Sequence, residues 1–272
     1  MKIALLNDTH FGVRNDSEAF RKYQLRFYNE IFFPYLKENN INTLVHLCDV
    51  VDRRKFINFQ TASIFRKQFF DRLYDEKIDT HLIIGNHDTY FKNTNKVNAI
   101  ENLYSSFDKV NEPFIYTKST VVDFDGTPIL FTPWICDDNY EHSMEMLRTA
   151  KADLCFGHLE IKGIEMQNGV INEHGLAKSD FSRYDRVVSG HFHKHTDDGQ
   201  IFYCGAQYEM TWSDYQDPKA FHVFDTETRE MTRISNPLTI HKKIIYDDKK
   251  KDYTNYDIQP YHNHFVKLIV LN

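Results

Sequence analysis

The stretch KIALLNDTH, residues 2–10, decides the reading of the fold. Its apolar run predicts a buried strand over residues 2–7, and Asp8 and His10 stand just past the end of that run. The same arrangement recurs downstream. In TLVHLCDVVDRR, residues 43–54, a second strand over 43–47 is followed by Asp49 and Asp52. In THLIIGNHD, residues 80–88, a third strand over 80–84 is followed, after Gly85, by Asn86, His87 and Asp88. Helical patterns separate the strands. Ser17 can cap a helix carrying Phe20, Tyr23, Phe27 and Ile31, and Ala62, Phe65, Phe69 and Leu73 mark the buried stripe of another. The order strand–helix–strand–helix–strand predicts parallel pairing.

The second half changes character. Runs at 121–124 and 128–132 flank Asp125-Gly126, a strong hairpin signal. A helix is predicted near 142–150, and strands near 152–156, 186–189, 201–204 and 220–224. His158 follows the first of these strands, and Gly190-His191-Phe192-His193 follows the second. Two packed sheets with helices outside fit this order. There is no internal repeat and no Gly/Ser-rich linker. From about residue 237 the chain becomes Lys-rich, with an extended stretch over 238–246 and a final strand over 265–271. The division expected is a catalytic domain over 1–236 and a C-terminal segment, 237–272. Ending on an apolar strand suggests a shortened chain, the segment being a truncated capping or partner-docking domain.

Composition sets limits on this reading. With 22 Phe and 16 Tyr the core is ring-rich, so no single aromatic counts as a binding feature. The formal net charge of -6 argues against the basic field of a stand-alone DNA binder. Two divalent ions would add about +4 where a phosphate sits, which weakens that objection. Cys48, Cys136, Cys155 and Cys204 form no CxxC pair, so free thiols in a reducing cytoplasm are expected. The apolar run at the N-terminus is too short for a signal peptide, and no run approaches a membrane span.

Five strand ends thus deliver ligand-type side chains to one edge, where open α/β sheets bind ligands. Imidazole nitrogens with Asp and Asn oxygens suit Mn²⁺, Fe²⁺ or Zn²⁺, and the absence of thiolate pairs argues against a structural zinc. One carboxylate must bridge two ions, which about 4 Å apart can hold a phosphate and activate water near neutral pH. Any one motif alone is more often a turn or a surface loop; five in this order point to a metal centre. His46, His81 and His222 lie inside strands and read as core. His142, His174, His241, His262 and His264 have no motif context, and His195, two residues past the last cluster, is left open.

The motifs DxH, CDVVDR, GNHD, GH and GHxH, in this order over residues 1–235, resemble the calcineurin-like metallophosphoesterases. With the flanking DFDGTPILFTPW (123–134) and FDTET (224–228), the spacing is most similar to the SbcD-type nuclease subunits, especially the recombination endonuclease subunits of T-even phages. The resemblance implies a four-layer α/β/β/α sandwich acting as a Mn²⁺-dependent DNA nuclease in recombination and repair. It would be a 3′→5′ exonuclease on duplex ends and an endonuclease on single strands. It implies a homodimer bound to an SMC-like, SbcC-type coiled-coil ATPase, in the host cytoplasm if phage-encoded. Helices at 60–75 and 98–105 are the implied dimer surface.

The resemblance also implies the ligands. Asp8, His10, Asp49 and His193 would hold one ion. Asp49, Asn86, His158 and His191 would hold the other, with Mg²⁺ as a further alternative metal. His87 would face the scissile phosphate and serve the leaving oxygen, oriented by Asp88. Two departures matter. Cys48 stands where the family commonly has Gly, so the loop is expected to be displaced. Asp52 stands where some relatives carry a second catalytic His, so an orienting role is expected. Arg53 and Arg54 are candidate phosphate contacts or solvated loop charges. A phosphatase or cyclic nucleotide phosphodiesterase is the rival reading, since DVVDRR resembles the DxVDRG phosphatase loop, though those enzymes read GNHE. A non-catalytic scaffold is the other, but such chains lose ligands, and all seven ligand positions are filled here.

Overall fold

The apolar run that opens the chain forms β1 (Lys2–Leu6), and β2 (Thr43–His46), β3 (Asp79–Ile83) and β4 (Phe114–Tyr116) follow. The computed structural model describes residues 1–104, 113–167 and 169–271. These four strands pair in parallel, Ala4 opposite Leu44, Leu44 opposite Thr80 and His81 opposite Phe114. The β1–β2 crossover begins as helix Glu18–Phe27, widens into a π turn over Tyr28–Phe32 and resumes as Phe33–Glu38. Pro34 explains the interruption, because it offers no N–H to the preceding turn. Ser17 holds the N-cap position, but its side chain makes no capping bond. The second crossover, over Phe59–Asp75, is capped by Asn58, which accepts from Gln60 N at 2.8 Å.

The second half supplies β5 (Thr120–Phe124), β6 (Thr127–Thr132), β7 (Leu154–Gly157), β8 (Glu165–Gln167), β9 (Val170–Ile171), β10 (Arg186–Ser189), β11 (Thr196–Asp197), β12 (Ile201–Tyr203), β13 (Lys219–Asp225) and β14 (Met231–Asn236). The Asp125-Gly126 turn has φ of 51° and 83°, the left-handed pair that a two-residue hairpin requires. Two mixed six-stranded sheets result, ordered β14-β13-β1-β2-β3-β4 and β11-β12-β10-β7-β6-β5. Side chains alternate across each strand. Ile3, Leu5, Val45 and Ile83 meet Phe131, Leu154, Phe156 and Val188 between the sheets. Ala4, Leu6 and Leu44 pack outward on Phe27, Phe65 and Phe69 of the crossover helices. Leu130, Cys155 and Val187 pack outward on Leu147, from helix Tyr140–Thr149, and on Phe181. The four layers are helices, sheet, sheet, helices.

The C-terminal strands β15 (His241–Tyr246) and β16 (Phe265–Val270) pair in parallel and join neither large sheet. Their base is clasped to the main body. The buried Glu209 carboxylate accepts from Ile240 N at 2.7 Å and His241 N at 2.8 Å, and Tyr23 Oη donates to Leu238 O at 2.9 Å. The short helix Ala99–Leu103 covers part of the second expected dimer surface, and Ser105 lies outside the described residues. No helix among the described residues is long and apolar enough to cross a membrane.

Candidate metal centre

The loops after β1, β2, β3, β7 and β10 meet at one edge of the paired sheets, and each brings the residues its motif carries. Asp8 is fully buried. Its Oδ2 accepts from Asn7 Nδ2 at 2.6 Å and from His191 N at 2.9 Å. Its Oδ1 accepts no hydrogen bond and lies 3.6 Å from His10 Nε2 and 3.7 Å from His193 Nε2. Those two imidazole nitrogens are 3.2 Å apart. Asp49 is divided in the same way: Oδ1 accepts from His87 N at 2.7 Å, whereas Oδ2 lies 3.3 Å from His158 Nε2 and 4.0 Å from His10 Nε2. Asn86 Oδ1 completes a second cluster, 2.9 Å from His158 Nε2 and 3.1 Å from His191 Nδ1.

This donor set fits divalent cations. Atoms that share an ion at 2.0–2.2 Å stand about 3–3.5 Å from one another, close to the spacings observed. His158 Nδ1 donates to Leu47 O at 2.7 Å, which turns the bare Nε2 inward, as a backbone carbonyl does for metal-ligating imidazoles. Lone pairs on Nε2 and Asn86 Oδ1 then face each other, tolerable when a cation or proton lies between. The electrostatics agree. Burial opposes a charged His158, but the neighbouring Asp49 carboxylate overcomes it and raises the pKa to about 9. Burial also opposes ionised Asp8, and His10, His158 and His193 hold it well below the ordinary carboxylate range nonetheless. His191 and His193 go the other way: burial first, and then the neighbouring cations, push both down to about 4, the neutral form in which imidazole ligates a metal.

The backbone bends sharply to present these groups. Asp8, His10, Cys48, Asp49 and His191 have φ of 46°, 42°, 49°, 59° and 85°, the left-handed region that costs a non-glycine residue roughly 1–2 kcal/mol. Cys48 therefore adopts the conformation that Gly would take freely, its carbonyl accepting from Asp8 N at 2.7 Å. Gly85 has no substitute. A Cβ there would collide with the Asp49 carboxylate and approach Asp49 N to 2.5 Å.

His87 stands edge-on to His10 with ring centroids 4.8 Å apart, and its Nδ1 donates to the Asp52 carbonyl at 2.6 Å. It also falls within ligand reach of His10 and Asp49. The expectation that Asp88 orients the His87 ring is corrected. Asp88 is fully buried and accepts from Val50 N (2.8 Å), Asp49 N (2.9 Å), Gly85 N (3.0 Å) and Val51 N (3.3 Å). Buried amides of a tight turn need an acceptor, and Asp88 meets that need for two loops at once. Burial first and the Asp49 charge second raise its pKa to about 7, against the amide hydrogen bonds. Asp52 holds His87 through its carbonyl, while its carboxylate lies 3.7 Å from His10 Nδ1. Arg53 is ion-paired with Asp16, and Arg54 Nη1 donates to Thr89 Oγ1 at 3.1 Å. His195 Nδ1 donates to Tyr203 O at 2.8 Å and takes no part in the clusters.

Two residues here escaped the sequence reading. Lys219, 4% exposed on β13, donates to His193 O at 3.1 Å and to Asp214 Oδ1 and Asp217 Oδ2, both at 2.7 Å. Lys219→Met removes the charge that compensates Asp214. We expect a loss of about 3–5 kcal/mol, the cost of breaking a buried pair, and weaker binding of one metal equivalent through the loosened His193. Melting curves with and without Mn²⁺ measure both effects; unchanged stability would show that the pair is not needed. The other residue is Trp134, whose ring centroid lies 5.2 Å from that of His191 and 6.2 Å from that of His158.

A family model for calcineurin-like phosphoesterases matches residues 1–195. Exonuclease subunit 1 of Enterobacteria phage T4 is 36% identical over 263 residues, spanning 95% of this chain and 76% of that protein. Among solved structures, an archaeal phosphodiesterase aligns with a TM-score of 0.42 at 16% identity, covering 87% of this chain and 100% of that one. A hypothetical protein from Thermus thermophilus aligns with a TM-score of 0.43 at 14% identity, covering 86% and 97%.

Proposed function

The chain belongs to the calcineurin-like phosphoesterase family, and from that premise we propose that it is a two-metal DNA nuclease. The observation that carries the reading is Asp49 Oδ2, which lies between two clusters of nitrogen and oxygen donors. Asp8, His10, Asp49 and His193 would hold one ion, and Asp49, Asn86, His158 and His191 the other. When bound, two divalent ions, Mn²⁺ on this reading, polarise the phosphodiester and make water nucleophilic near neutral pH. The chain's own contribution is orientation and proton transfer. His87, its Nδ1–H fixed on the Asp52 carbonyl, would act as the imidazolium and give its Nε2 proton to the leaving 3′ oxygen. Asp52 holds that ring, and Asp88 holds the loops around it. Arg54, with no carboxylate partner among the described residues, is the better candidate of the two arginines for a phosphate contact.

The substrates proposed are duplex ends, degraded 3′→5′, and single strands, cut internally. The name of the phage T4 relative, a subunit, supports a complex. We assign the partner as an SMC-like coiled-coil ATPase, with the nuclease as a homodimer in the cytoplasm and the 237–272 segment in docking. At net charge -6 the chain brings few phosphate contacts of its own. The test is digestion of end-labelled duplex, circular single-stranded DNA and bis(p-nitrophenyl) phosphate with Mn²⁺, Mg²⁺ or chelator. Metal-dependent cutting of both DNAs is expected. Hydrolysis of the aryl diester with neither DNA cut would favour a small-molecule phosphodiesterase, and inertness toward all three a scaffold.

A further inference from the structure

Trp134 lies two residues beyond β6 and beside the second donor cluster, and its backbone is unusually constrained. Its N–H donates to Ile84 O at 2.8 Å, and its carbonyl accepts from Asn95 Nδ2 at 2.9 Å and Asn139 Nδ2 at 3.0 Å. Both asparagines are buried. Asn139 also accepts from Cys136 N at 2.8 Å, so one side chain closes the turn that follows the tryptophan. The indole is only partly buried, although it packs beside His191 and His158. Hydrolysis of a phosphodiester needs no aromatic surface at this place. A partly exposed indole on a firmly held backbone, beside these histidines, can serve as a stacking platform: every nucleobase offers it a π face, whatever the sequence.

We propose that Trp134 is the specificity-determining wall of the site, against which a base flanking the scissile phosphate stacks. This rests on the nuclease reading above. It makes the enzyme select nucleotides over bare phosphodiesters without selecting sequence.

The test uses a thymidylate strand in which one phosphodiester is flanked by stable tetrahydrofuran (abasic) sugars, scored against the same position in the unmodified strand. Wild type is expected to cut the abasic position with KM raised roughly tenfold or more, the scale of one lost stack. Trp134→Leu is expected to raise KM by a similar factor on the unmodified strand and to erase the difference between strands, with metal content unchanged. Trp134→Phe should fall between the two. Trp134 and Trp212 are the two tryptophans. In a Trp212→Phe background, oligothymidylate added with Ca²⁺ should therefore quench the Trp134 emission. Discrimination that survives in Trp134→Leu, or emission that DNA leaves unchanged, would overturn the assignment. Equal loss on both strands together with lost metal would reduce Trp134 to packing against His191 and overturn it as well. If wild type cuts neither strand but hydrolyses bis(p-nitrophenyl) phosphate, the nuclease reading fails first, a result distinct from either.

Discussion

His87→Ala is expected to lower cleavage of single-stranded DNA by about 10²–10⁴-fold, the usual value of a positioned general acid, while the protein keeps its full metal content. The ring is held from one side, by the Asp52 carbonyl at 2.6 Å, and its peptide N–H is bonded to Asp49 Oδ1 at 2.7 Å. The N–H survives the substitution, so the Asp49 carboxylate stays anchored. On the proposed assignment seven side chains hold the two ions without His87, which is then available to the leaving group. The experiment is single-turnover kinetics beside elemental analysis of the same preparation. Because His87 also lies within ligand reach of His10 and Asp49, loss of metal is the outcome that would refute its separate role.

Asp49→Ala is expected to do the opposite. It should reduce bound metal below one equivalent and bring activity to the level of chelated wild type. Oδ2 faces both clusters and Oδ1 fixes the peptide of His87, so the substitution removes the bridge and loosens the third loop together. The backbone should hold, since Asp49 N donates to Asp88 and its carbonyl accepts from His10 N, neither of which needs the side chain. Far-ultraviolet circular dichroism should therefore stay near wild type while Mn²⁺ titration calorimetry shows the loss. Two equivalents bound with near-normal affinity would disprove the bridging assignment.

Much of this was legible in the sequence because its signals are local. Continuous apolar runs mark strands buried on both faces, and the residues just past them mark the ligand edge. Asp125-Gly126 specified its hairpin for the same reason, since two consecutive left-handed residues suit little else. What was hidden depends on partners distant in sequence. That β13 inserts antiparallel beside β1 is a choice between sheet edges, which periodicity does not encode. Asp88 read as the partner of its neighbour His87; its actual acceptor role depends on amides some 37–39 residues earlier, which only the folded turn presents. Lys219 resembled any strand-start lysine. Trp134 counted only as the end of the DFDGTPILFTPW stretch and was given no role, yet its position just past β6 carried the same signal as the ligands.

The pairing of β13 with β1 has a consequence for the life of the chain. Asp8 and His10 are made first, but β1 takes one of its two neighbours from residues Lys219–Asp225, and His10 meets His193 across 183 positions of sequence. A chain stopped after GNHD has the loops of β1, β2 and β3 but none of the histidines that the second sheet brings to them. A chain stopped after His193 lacks the strand that flanks β1 and the lysine that steadies the His193 carbonyl. The crevice in the form described is therefore complete only once residues 219–225 stand beside β1.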